Sequence, residues 1–159
     1  MKITAYDLSL NEKGEEILVK DRTFDYSGDE CLNKPAKVAE AIREIFRYDQ
    51  MSEERLYCLA LKNNGKIVGE FEISHGGMLA SMSSMASIFK RLLLTPLCSA
   101  FILTHNHPAG EPYPSSADIN MTRKVKEITD LFGNDLKFLD HIIIGRGSGF
   151  YSLHDGGYI

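Results

Sequence analysis

The stretch that most constrains this chain runs from Cys98 to Gly110, CSAFILTHNHPAG. Its first half is a short apolar run of the kind that fills a buried strand. If the strand continues through His105-Asn106-His107, both imidazoles project to one face, because side chains repeat with period two. Pro108 and Gly110 then end the strand, and Pro112 and Pro114 keep the next loop from pairing or coiling. Ser115-Ser116-Ala117-Asp118 opens a helical pattern whose apolar face reads as Ile119, Val125, Ile128, Leu131 and Phe132. Asp118 falls in its first turn, within reach of both histidines.

A catalytic zinc takes three protein ligands and leaves one tetrahedral position open. His105, His107 and Asp118 meet that count, and imidazole donors suit Zn²⁺ better than Mg²⁺ or Ca²⁺, which prefer oxygen. Ser115-x-x-Asp118 also reads as a helix start, with an N-cap hydroxyl and an acid three residues on. It is the register of the histidines, the Pro/Gly loop, the serine and the acid together that points to a metal. His75 reads as a solvated loop residue, His141 as structural, its ring paired with backbone or carboxylate, and His154 as a residue near the terminus.

This pattern resembles the JAMM (MPN+) metalloproteases, and within them the RadC-like JAB domain proteins. The resemblance runs from LYCLALKNNGKIVGEFEISHGG through THNHPAGEPYPSSADINMTRKVKEITDLFG to LDHIIIG, covering roughly residues 51–154. It implies a cytidine deaminase-like three-layer α/β fold, a mixed sheet covered by helices, with zinc at the sheet edge. His105, His107 and Asp118 would hold that zinc. Glu54 would move the proton, and Ser115 would donate to the oxyanion. The choice of Glu54 rests on the position of the family motif, with Glu53, Glu70 and Glu72 as competitors. The activity implied is hydrolysis of a peptide or isopeptide bond. The alternative is a non-catalytic RadC-like accessory protein in DNA repair or mobile-element biology. The chain has no room for the helix-hairpin-helix region of longer relatives, so DNA binding by that region is not implied. The chain also departs from the family at Ser84-Met85-Ala86, where a His-Pro-Arg-like segment is usual. The Met- and Ser-rich run Met78 to Met85 reads as core packing where the helix starts.

Composition narrows the rest. A formal charge of −4 over 159 residues gives no global basic footprint, so strong nucleic-acid binding by the chain alone is not expected. Lys90-Arg91 and Arg123-Lys124 with Lys126 read as solvated helix faces. A contiguous HNH in an acidic chain argues against a metal nuclease. The H-x-E and P-C-x-x-C ligands of zinc deaminases are absent. Cys31, Cys58 and Cys98 show no C-x-x-C spacing and read as reduced thiols, and no signal peptide or membrane-length apolar run is evident. The expectation is a cytoplasmic protein.

The pattern predicts strands at 3–10 and 15–23 joined by Asn11-Glu12-Lys13-Gly14, a polar loop, and a helix opened by Pro35. Strands at 55–62 and 66–74, a helix over 84–94, the histidine-bearing strand, the helix after Ser115 and strands at 136–144 and 150–153 follow. One JAB/MPN-like domain over 1–159 is expected, with residues 1–33 as an added hairpin.

Overall fold

The computed structural model describes residues 2–28, 31–76 and 82–159, with backbone alone for 82–84. The strands are β1 (Lys2–Leu10), β2 (Glu16–Asp25), β3 (Arg55–Leu61), β4 (Ile67–His75), β5 (Ala100–Asn106), β6 (Lys137–Ile144) and β7 (Phe150–Ser152). The helices are α1 (Pro35–Phe46), α2 (Met82–Leu94) and α3 (Ser116–Asp130), with a 3-10 turn at Tyr48–Gln50. The strands form one mixed sheet in the order β2-β1-β4-β3-β5-β6-β7. The pairs β1/β4 and β5/β6 are parallel and the others antiparallel. This is the expected α/β architecture. The N-terminal hairpin extends the sheet, its β1 pairing with β4.

The central strands are buried on both faces, and their alternation sorts side chains into two cores. Tyr57, Leu59, Leu61, Ile102, Ile142 and Ile144 meet Val38, Ala39 and Ile42 of α1. Leu56, Cys58, Phe101 and Leu103 meet Met85, Ile88 and Leu92 of α2 and Met121 and Val125 of α3. Both layers remove continuous apolar surface from water, so no disulfide is needed, and the three cysteines are present as thiols.

Local signals explain the element ends. Pro35 starts α1 from an extended Lys34. The helix stops at Arg47, whose left-handed φ of 54° redirects the chain so that Tyr48 is buried under the sheet. That 3-10 turn is a feature the sequence pattern did not disclose.

Two expectations are corrected. The buried stripe of α3 is Asp118, Met121, Thr122, Val125 and Thr129, with the expected Ile128 and Phe132 partly buried against the core, whereas Leu131 is 86% exposed. Two threonines inside the stripe spoiled a reading based on apolar residues alone. Arg91 is not a solvated cation, because it turns back onto Ser87 of its own helix, while Lys90 reaches Glu16. Of the run Met78–Met85, residues 78–81 and the side chains of 82–84 lie outside the described residues. Met85 is buried.

Candidate metal centre

The alternation that sends Phe101 and Leu103 toward α2 and α3 sends His105 the same way, into full burial. His107 follows just beyond the strand, held by its N–H donating to the Ile144 carbonyl at 2.9 Å. The loop after it is pressed onto the end of β6. Arg146 N–H donates to the Gly110 carbonyl at 3.0 Å, and a Cβ at Gly145 would run into that carbonyl and Pro112.

The opposite wall is the start of α3. Ser115 is its N-cap, with Asp118 N–H donating to Ser115 Oγ at 3.2 Å and Ser115 N–H donating to Asp118 Oδ2 at 2.7 Å. The Ser115 hydroxyl also donates to Asp118 Oδ2, at 2.6 Å. This box fixes the carboxylate 3.3 Å from His105 Nε2 and 3.6 Å from His107 Nε2. The helix-start reading and the ligand reading therefore describe one geometry.

The protons on the imidazoles follow from their partners. The Thr122 hydroxyl donates to the Asp118 main-chain carbonyl at 2.7 Å, which can only accept. Its single proton is thereby spent, so at the 2.7 Å contact with His141 Nδ1 the ring must donate. Neutral His141 then has a bare Nε2, which accepts from His105 Nδ1–H at 2.8 Å. Burial pushes His141 down to about 4, consistent with a neutral ring. His107 Nδ1–H donates to the Glu111 carbonyl at 3.0 Å. With His107 also neutral, both chains end the same way, with a lone pair on Nε2 of His105 and on Nε2 of His107, 2.9 Å apart.

Two ring nitrogens and a carboxylate converging in a buried site suit a cation between them. Ligands about 2.0–2.1 Å from a tetrahedral ion stand roughly 3.3 Å apart, close to the 3.3 Å between His105 Nε2 and Asp118 Oδ1 and the 2.9 Å between the two Nε2 atoms. The donor set fits a metal ion.

Glu54 completes the cluster. Its carboxylate and one ligand atom from each of His105, His107 and Asp118 lie within 4.8 Å of one another. Burial, opposed by neighbouring His107, raises its carboxyl above the usual value. Its segment is clamped by Asn106, the middle residue of the histidine motif. Asn106 Nδ2 donates to the Glu53 carbonyl at 3.0 Å, and its Oδ1 accepts from Arg55 N–H at 2.9 Å. Gly76 N–H donates to the Glu54 carbonyl at 2.8 Å. The competing acids lie elsewhere: Glu53 pairs with His75, Glu72 with Arg55 and Tyr57, and Glu70 with Tyr48.

For Asp118, burial alone would raise the carboxyl, but His107, His105 and the two Ser115 donors hold it well below the ordinary carboxylate range. His105 is pushed well below its ordinary value by burial and by neighbouring His141. The neighbouring Asp118 carboxylate raises His107.

Two residues of this arrangement were missed in the sequence. Asn106 has opposite strand parity to the ligands, which is the signal that it serves the neighbouring strand. His141 pairs with the His105 ring and Thr122, whereas its neighbour Asp140 accepts from the Ser152 hydroxyl and the His154 N–H.

Comparison with known proteins agrees with this geometry. Residues 32–158 match the family model of the RadC-like JAB domain. A UPF0758 protein of Geotalea uraniireducens is 38% identical over 128 residues, 80% of this chain and 54% of its own length. A UPF0758 protein of Caldanaerobacter subterraneus is 32% identical over 147 residues, 92% of this chain and 59% of its own. A third, from Methanococcoides burtonii, is 39% identical over 113 residues, 71% of this chain and 48% of its own. The chain belongs to the RadC-like JAB domain family. It spans about half the length of these relatives.

Proposed function

We propose that this chain is a zinc-dependent metallopeptidase or isopeptidase, with His105, His107 and Asp118 as the zinc ligands. The observation that supports it is the pair of bare Nε2 atoms facing each other across the Asp118 carboxylate, with Glu54 beside them. Bound zinc would supply Lewis acidity, acidifying water and polarising a carbonyl. Glu54, with its raised carboxyl, takes the proton from the attacking water and delivers it to the leaving amine. Ser115 turns its hydroxyl from Asp118 to the developing oxyanion, while its N–H keeps the carboxylate in place. Asn106 holds the Glu54 segment against β5 so that the base stays within reach of the cluster. The substrate class is a peptide or isopeptide. Strong nucleic-acid binding is not part of this reading. Among the described residues, no helix is long and apolar enough to cross a membrane.

Cleavage profiling of the zinc-loaded chain against peptide and isopeptide libraries, with zinc content measured in parallel, tests the assignment. Glu54→Gln should keep zinc and fold while hydrolysis falls at least a hundredfold, because the amide cannot accept the proton. Ser115→Ala should lose on the order of a hundredfold in rate and about 1 kcal/mol of stability. If Glu72→Gln is inactive and Glu54→Gln turns over normally, the base is Glu72. A flat profile with stoichiometric zinc would favour the accessory role.

A further inference from the structure

On the α1 face of the sheet, α1 packs chiefly across β6 and β7. On the same face the structure has a cavity of about 570 Å³, bounded by the N-terminal hairpin, the end of α1 and the 3-10 turn. Its floor carries Glu70, which sits opposite Ala5 of β1 and Leu59 of β3 and is 4% exposed. One wall is formed by Phe46, Tyr48 and Tyr57, with the Tyr48 and Tyr57 rings stacked 4.2 Å apart.

The acids around this cavity are not equivalent. Asp21 pairs with Arg22 at 2.6 Å, and Glu72 accepts from Arg55 at 3.1 Å and from Tyr57 at 3.2 Å. Glu70 has the Tyr48 hydroxyl at 3.3 Å and, among the described residues, no Arg, Lys or His within ion-pair distance. A carboxylate placed mid-sheet is costly to bury without a paired counter-ion, and Arg22, committed to Asp21, acts on Glu70 only from beyond ion-pair distance. Burial pushes it up to about 7. A structural role would be served as well by glutamine. What a carboxylate adds is charge, directed into an aromatic-walled cavity large enough for a ligand.

We propose that this cavity receives an ammonium-bearing side chain, a lysine of a partner or substrate peptide, with the Glu70 carboxylate as its counter-ion. The ammonium meets Glu70 and the Tyr48 oxygen while the aliphatic stem lies along the aromatic wall. The site lies on the opposite sheet face from His105 and does not depend on a metal.

Calorimetric titration of the full chain with Nα-acetyl-lysine amide, and with the norleucine analogue that lacks the ammonium, tests this. Saturable binding of the lysine compound at least tenfold tighter than the norleucine one is expected, unchanged by a zinc chelator. Glu70→Gln should lose at least tenfold in affinity while melting no lower than wild type, a combination that a purely structural glutamate would not give. Amide shifts in the unmodified chain, a readout that survives even if the variant misfolds, should centre on residues 5–7, 45–48 and 70–72. n-Butylammonium separates the sources of the cation: equal affinity marks a free amine, and preference for the peptide marks a side chain, both consistent with the site. Equal binding of the lysine and norleucine compounds, full affinity in Glu70→Gln, shifts centred elsewhere, or no saturable binding would overturn it.

Discussion

Two carboxylates are buried on opposite sides of one sheet, Asp118 at 1% exposure in the first turn of α3 and Glu70 at 4% on the α1 face. Their ionisation is driven in opposite directions. Asp118 receives two donors from Ser115 and faces two imidazoles, and it stays charged. Glu70 receives one tyrosine hydroxyl and is pushed up to about 7. Burial is common to both, so the neighbouring charges and donors decide the outcome. A carboxylate held ionised by fixed donors is prepared for a metal. One left with a single neutral donor keeps its proton until a cation arrives.

The comparison is sharpened most by a residue that serves the Asp118 side without touching it. Asn106→Ala removes both hydrogen bonds that clamp the Glu54 segment, and kcat should fall on the order of a hundredfold with zinc content unchanged. Steady-state kinetics beside metal analysis would check this, and a loss of zinc would instead make Asn106 part of the metal cradle. Next, His141→Leu should weaken zinc binding ten- to hundredfold, because His105 Nδ1–H loses its acceptor and the ring its orientation. His141→Gln, which retains an acceptor, should recover most of that affinity in a competition titration with a chelator.

The smallest effect is on the Glu70 side and has the opposite sign. The carboxyl stands at about 7 in the fold against an ordinary 4.5, so folding takes up a proton between those values. Stability therefore falls as pH rises through that window, and the full cost is in force above about 7. Glu70→Gln should gain roughly 2–3 kcal/mol over wild type at pH 8 and little at pH 4. Urea denaturation at the two pH values measures it. A variant less stable at pH 8 would break the contrast between the two carboxylates.

The Asp118 side was legible in the sequence because its parts are local. Period two aligns His105 with His107, Pro108 and Gly110 end the strand, and a capping box needs only Ser115 and Asp118. Glu54 came from the resemblance to a family, and the structure brings it into the cluster. His141 was not legible as a partner of His105, because their contact depends on the parallel pairing of β5 with β6, joined through the whole of α3. Asn106 was hidden for a similar reason, its partners lying on another strand. The Glu70 cavity was invisible because it lies between the N-terminal hairpin, the end of α1 and a 3-10 turn launched by the left-handed Arg47. Nor did periodicity disclose Thr122 and Thr129 in the buried stripe of α3, where each hydroxyl donates to the carbonyl one turn back.

The central claim is that the Asp118 cluster is a one-metal centre, and zinc titration of metal-free protein tests it most directly. Wild-type chain should bind one zinc per molecule. Asp118→Asn, with the same far-UV circular dichroism, should lose more than a hundredfold in affinity, since it removes a ligand charge rather than a supporting contact. Folded wild-type protein that takes up no zinc, or an Asp118→Asn variant that binds it as tightly, would contradict the claim.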